Sequence, residues 1–189
     1  MNANRYSNVT PVRLITEGAI IAALYVVLSL NPLSFKEIQC RFGEALCMTI
    51  FFTPAAAWGM SIGCFLTNLL GGSSWLDTVF GTLATLIAVL ITLPIASLLR
   101  KKLGSFLDIK HSLLLPIPTV ITNALIIPFV LYYGYGINEM WNATSKWAVI
   151  GFMAVSIAAG EILSCYVLGL VIVKIMNNLE SKRRETEGK

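Results

Sequence analysis

The chain has 189 residues, of which 56% are hydrophobic and 13% charged, and its mean hydropathy is +0.75. Soluble domains run about 45–50% apolar and about 25% charged, so the composition excludes an ordinary soluble domain and points to an integral membrane protein with the lipid bilayer as its solvent. The net charge of +4 does not signal nucleic acid, because the basic residues stand at the ends of apolar runs, where membrane topology accounts for them.

Leu14–Leu30 is the first predicted span. Arg5 and Arg13 precede it as in a signal peptide, but further spans follow with no small-residue cleavage site ahead of a soluble region, so it is expected to stay as a helix. Asn31–Pro32 ends it, since proline has no N–H to continue a helix and restricts its predecessor. The stretch Asn31–Leu46, NPLSFKEIQCRFGEAL, then places Lys36, Glu37, Gln39, Arg41 and Glu44 between two apolar runs. Glu44 opens the second of these, inside sequence that reads as lipid-facing. An ionisable residue there is a functional candidate, and the alternative is a solvated loop with Glu44 complementing a helix N-terminus.

Leu46–Leu70 is the second apolar tract, broken by Pro54. As one helix it crosses once; as two, each has only a dozen or so residues. Charge decides between them, because Lys and Arg accumulate on cytoplasmic loops. A reversal near Pro54–Gly59 puts Arg5, Arg13, Arg100–Lys102, Lys110, Lys174 and the Lys182–Arg184 cluster on one side, with Lys36, Arg41 and Lys146 on the other. The spans Thr78–Leu99, Leu113–Tyr133 and Trp147–Ile175 complete six helices, of which the second and third are short. The expected fold is therefore an all-α integral membrane bundle of six transmembrane helices. It forms a single membrane domain over residues 1–189, with cytoplasmic tails at 1–12 and 176–189. The loops Asn31–Gly43, Gly71–Trp75 and Gly134–Lys146 are extracellular, and the polar Glu180–Lys189 is expected to fray. His111 reads as a solvated residue, and Cys40, Cys47, Cys64 and Cys165, which lack zinc spacing, read as small apolar residues.

No catalytic constellation is present. The single histidine excludes Ser-His-Asp and Cys-His arrangements, and Gly71–Ser74 lacks the GK[ST] of a phosphate loop. If the chain moves a solute against a gradient, ATP hydrolysis must come from another chain. Small residues recur at helix spacing: Gly18-x-x-x-Ala22 and Ala19-x-x-x-Ala23 overlap on the first helix, Gly59-x-x-x-Gly63 lies on the third, and Gly81, Ala84 and Ala88 share a stripe on the fourth. Such spacing lets backbones approach closely in lipid, and the doubled motif suits the first helix to dock on a second protein. Polar residues within the spans are few. Glu44, Asn68, Trp75 and Asp77 fall at the outer helix ends, and Asn123 and Glu161 near the midplane. Glu161 shares a stripe with Gly151, Ala154, Ala158 and Cys165, which directs it into the bundle. Together these residues point to an outward-opening cavity; interhelical hydrogen bonding is the structural alternative.

Six helices, the small-residue first helix, the elaborate first outer loop and the missing ATPase resemble an S component of an energy-coupling factor (ECF) transporter. The segments NPLSFKEIQCRFGEAL, FFTPAAAWGMSIGCFLTNLLGG, LDTVFGTLATLIA, Asn123-Ala-Leu, and Gly160-Glu161 followed by Tyr166-Val-Leu-Gly are similar to the QueT family, the queuosine-precursor S component. That resemblance covers most of Ala19–Ile172. It implies a 7-deazaguanine solute such as preQ0, preQ1 or queuine. It also implies docking of Ala19-x-x-x-Ala23 on a transmembrane EcfT subunit, and two EcfA-type ATPase subunits that drive transport. For such a solute, Glu161 is assigned to the ring edge and Glu44 to the substituent end, with Asp77 as its substitute. Asn68 and Asn123 donate to the ring carbonyl, and Trp75 stacks as part of a lid. Arg41 lines the site or holds Glu44. The readings in competition are an S component for thiamin, biotin or riboflavin, and a structural membrane protein whose carboxylates only join helices; an enzyme lacks its acid/base and metal residues. No cofactor or metal is expected.

Overall fold

The computed structural model describes residues 10–31, 41–134 and 145–187. Lys36, Glu37, Gln39 and Cys40, and the third outer loop beyond Gly134, lie outside the described residues. The first helix, α1, runs Pro11–Ser29, one turn longer at its start than the apolar run suggests. Thr10 caps it by accepting from the Arg13 N–H at 3.4 Å, and Pro11 stands at the first helical position, where a missing N–H costs nothing.

The second tract splits as the charge pattern requires, with the break at Phe52–Pro54. Before it, Phe42–Phe51 is a 3₁₀ helix, η1; after it, Ala55–Leu70 is helix α2. The Gly43 N–H donates to Ser29 Oγ at one end of α1, while the Phe51 carbonyl accepts from Arg100 at the basic end of the molecule. Helix α2 then returns beside α1, with Gly59 against Gly18 and Gly63 against Ala22 and Tyr25. Ten residues rise roughly 20 Å as a 3₁₀ helix against roughly 15 Å as an α-helix, so the tighter winding gives a short segment more reach. Every residue from Gly43 to Phe51 is buried, although the tract reads as lipid-facing. Irregular backbone at membrane depth is tolerated only where protein covers it, and η1 is covered by α1, α2, the helix Trp75–Leu103 that follows and the last helix.

Helix α3, Trp75–Leu103, extends the predicted span by about a turn at each end. Ser74 caps it by accepting from the Asp77 N–H at 3.2 Å, which draws Trp75 and Asp77 into its first turn. Arg100, Lys101 and Lys102 fall in its last turn, where they complement the helix dipole. A single-turn helix, α4 (Ile109–Ser112), leads to α5, Ile117–Gly134, which packs antiparallel on α3: Thr92 Oγ1 donates to the Leu115 carbonyl, and Gly134 meets Leu76 and Ser74. His111 is not simply solvated, since its Nδ1 lies 2.7 Å from Asp108 Oδ1.

The last span comprises α6 (Lys146–Ile162), a π-helical segment (Leu163–Leu168) and α7 (Gly169–Glu187). The polar end expected to fray is helical to Glu187. It is supported by the Glu180–Arg184 pair at 3.7 Å and by the Arg184 guanidinium 4.8 Å from the Phe106 ring centroid. The buried face of α6 is Ile150, Met153, Ile157 and Glu161. Gly151 is exposed and Ala154 and Ala158 only half-buried, so the small-residue stripe flanks the packed face and does not form it. Among the described residues four helical segments are long and apolar enough to cross a membrane, with η1 and α2 as shorter apolar helices between them. The chain is a multi-pass helical membrane protein.

Candidate functional site

The polar residues singled out within the spans converge at the centre of the bundle, around the start of η1. Glu44 is fully buried, and its Oε1 accepts from Tyr25 Oη at 2.5 Å and from Thr85 Oγ1 at 2.8 Å. Its Oε2 accepts no hydrogen bond. Buried carboxylate oxygens are rarely left unpaired, because desolvation without a partner costs about 1–3 kcal/mol or more for a charged group. Glu161, 2% exposed, is near enough to Glu44 for the two charges to interact. Asn123 Nδ2 donates to Glu161 Oε1 at 2.9 Å, and Cys165 Sγ lies 3.7 Å from Oε2. Asn123 also lies close to Glu44 without bonding its Oε2, and its own Oδ1 is unpaired, as is Thr119 Oγ1 one turn earlier on α5. Two neighbouring side chains, Glu44 and Asn123, thus each keep an acceptor free in this buried region.

A second cluster borders the first. Arg41 Nη2 donates to Asp77 at 3.2 Å (Oδ1) and 3.5 Å (Oδ2), and Arg41 Nη1 lies 3.9 Å from Cys64 Sγ. Asn68 Nδ2 reaches the Asp77 carbonyl at 3.3 Å and Cys64 Sγ at 3.6 Å, while Thr85 Oγ1 approaches the same sulfur at 3.4 Å. Ser164 Oγ, in the π-helical segment, donates to the Arg41 carbonyl at 2.8 Å. The π-turn follows Glu161 directly and carries Ser164 and Cys165 inward, consistent with the frequency of π-turns at functional sites.

Arg41, Glu44, Asn68, Asp77, Asn123 and Glu161 are thus gathered in one buried region, whereas Trp75 is 72% exposed at the start of α3, outside that region. Arg41 pairs with Asp77 and leaves Glu44 to Tyr25 and Thr85. Cys64 is more than a small apolar filler, since three polar side chains approach its sulfur. Tyr25, Thr85 and Ser164 were not singled out from sequence. Their signal is positional: Tyr25 continues the Gly18–Ala22 face and Thr85 stands on the Gly81–Ala84–Ala88 stripe, both buried.

The small residues of α1 divide between two faces. Gly18 and Ala22 are buried against α2, so they are not available to a partner. A Cβ on Gly59 would sit 2.6 Å from the Gly18 carbonyl oxygen, and one on Gly63 would sit 3.0 Å from that of Ala22. The two small-xxx-small motifs close on each other, and that contact removes Gly18 and Ala22 from the predicted docking set. Ala19 and Ala23 remain exposed on the outward face.

Fold and site together define a multi-pass helical membrane protein that encloses acids, amides and one guanidinium in an apolar bundle, an arrangement suited to holding a polar solute away from lipid. Residues 15–178 match the QueT transporter family, and the chain belongs to that family. A relative from Lactococcus lactis subsp. cremoris (strain MG1363), named queuosine precursor transporter QueT, is 40% identical over 73 residues, which is 36% of this chain and 43% of that protein. The aligned region thus spans less than half the length of that curated relative. No solved structure matches the chain.

Proposed function

We propose that this chain is the substrate-binding S component of an ECF-type importer and that it binds queuosine precursors of the 7-deazaguanine class. The observation that carries the proposal is the pair of buried acceptors, Glu44 and Glu161, with Asn123 bonded to Glu161 and close to Glu44. The family match and the name of the bacterial relative support the same solute. A 7-deazaguanine presents a ring N–H and an exocyclic amine side by side, and one carboxylate accepts both; such charge-assisted bonds are strong in a dry site. Glu161 takes this edge, Asn123 addresses the ring carbonyl, and Glu44 Oε2 meets the substituent. The region holds three carboxylates against one guanidinium, so a guest that brings donors and a positive charge offsets part of their burial cost. Asp77, Arg41 and Asn68 form the outer wall. The basic ends, including residues 1–12 and 176–189, face the cytoplasm of a prokaryotic cell. An EcfT-type subunit docks on α1, and two EcfA-type ATPases supply energy.

Calorimetry on the purified chain tests the assignment. Glu161→Gln should weaken every 7-deazaguanine by roughly ten- to a hundredfold, the loss expected when a charged acceptor is removed. Wild-type affinity in that variant would show that the ring lies elsewhere. Displacement of the deazaguanine by thiamin, biotin or riboflavin would favour the vitamin reading.

A further inference from the structure

At the basic end of the molecule, away from the carboxylate cluster, a groove of about 990 Å³ runs between α4 and α7. Its walls are apolar, with Leu107 and Val173 buried at its base and Ile109 and Val171 exposed along its sides. Its shape is fixed by a reciprocal bond: the Leu107 N–H donates to Asn177 Oδ1 at 3.1 Å, and Asn177 Nδ2 donates back to the Leu107 carbonyl at 2.8 Å. Lys110 and Lys174 stand on the rim, both exposed and, among the described residues, without an ion-pair partner. Asp108, the acid in the lining, is engaged by His111 at 2.7 Å. Leu107–Lys110 follows the basic last turn of α3, and Lys174 is the first charge after Glu161 on the last span, so the groove stands where apolar helix gives way to charge.

We propose that this groove is a binding site for one anionic phospholipid, with an acyl chain along the apolar wall and the headgroup phosphate between Lys110 and Lys174. The two lysines supply charge complementarity, and the apolar wall continues into the bilayer, so the lipid needs no route through water. Basic pockets between helices at a membrane surface recognise anionic headgroups in this way. The site does not depend on which solute the bundle carries.

Native mass spectrometry of the full chain, titrated with dioleoyl-phosphatidylglycerol or with phosphatidylcholine of the same acyl chains, tests the proposal. The expected result is one phosphatidylglycerol retained in preference to phosphatidylcholine. The double variant Lys110→Ala/Lys174→Ala should bind it about thirtyfold more weakly, which corresponds to about 2 kcal/mol for two lysines at the membrane surface. Both side chains are exposed, so their removal leaves the core intact. Lys101→Ala/Lys102→Ala, on α3 outside the groove, should retain the lipid as the wild type does. Equal binding of the two lipids would overturn the proposal, as would equal loss in both double variants. Undiminished phosphatidylglycerol binding in Lys110→Ala/Lys174→Ala would overturn it as well.

Discussion

Glu44 takes both of its hydrogen bonds through one oxygen, and that asymmetry decides what the residue is free to do. Tyr25 and Thr85 orient the carboxyl group and leave Oε2 without a hydrogen bond. The aminomethyl form of a 7-deazaguanine carries a positive charge and the cyano form does not. Glu44→Gln should therefore weaken the aminomethyl form more than the cyano form, measured by calorimetry with both ligands. An equal loss for the two would remove the charge role while leaving Glu44 in the site. Tyr25→Phe deletes one donor to this buried acid and should cost the purified chain about 1.5–3 kcal/mol, read from its thermal unfolding. In the Tyr25→Phe/Glu44→Gln double variant the two losses should fall short of their sum, because the residues share one bond. Glu44 and Glu161 stand out in the sequence because ionisable residues are rare in apolar runs. Tyr25 and Thr85 do not, because hydroxyls are ordinary in membrane helices, where Thr92 and Thr122 bond back to their own helix. Only the packing of α1 and α3 around η1 separates the hydroxyls that serve Glu44 from those that serve a helix.

Helices α1 and α2 meet through glycine and alanine, with the Trp58 ring against Gly18 and Tyr25 against Gly63, so the contact has no slack. Gly59→Leu places a side chain against the Gly18 carbonyl and should lower thermal stability and solute binding together. Ala19→Trp or Ala23→Trp falls on the exposed face of the same helix and should leave the isolated chain folded and binding. In cells, either substitution should abolish uptake, because the bulk removes the room a partner helix needs. Loss of binding in the isolated Ala19→Trp chain would place that face inside the bundle and end the docking idea. The overlapping motifs at Gly18 and Ala19 are one residue apart, and spacing alone does not say which of them packs internally. The break of the second tract is different: Pro54 and the charge distribution locate it to within a few residues. The 3₁₀ winding of η1 stays hidden in the sequence, because Phe42–Phe51 satisfies an α-helical or a buried pattern equally. Its two ends meet Ser29 and Arg100, contacts that exist only in the assembled bundle.

The six passes place Ser29, Gly71 and Gly134 at one end and Arg13, Phe51 and Arg100 at the other, with the cationic clusters concentrated at the second. The sequence carries this parity because charge asymmetry responds to the number of crossings, even where helix lengths do not. Two short passes would fail a length criterion, yet η1 needs no lipid-facing surface, and α2 is covered by α1 on one side and α3 on the other. The described residues thus run back and forth along the bundle in about six helical segments, four of them long and apolar enough to cross a membrane. A membrane-impermeant thiol reagent tests the orientation in intact cells. Cys47, Cys64 and Cys165 are buried, so a Cys40→Ser background should be silent. Gly71→Cys, at an exposed turn, should then be labelled from outside, and Lys102→Cys only after the cells are opened. A single crossing by residues 46–70 would exchange these two results, as would insertion with the basic end outward. Labelling of Lys102→Cys in intact cells would therefore overturn the arrangement in which the carboxylate cluster is reached from the outer surface.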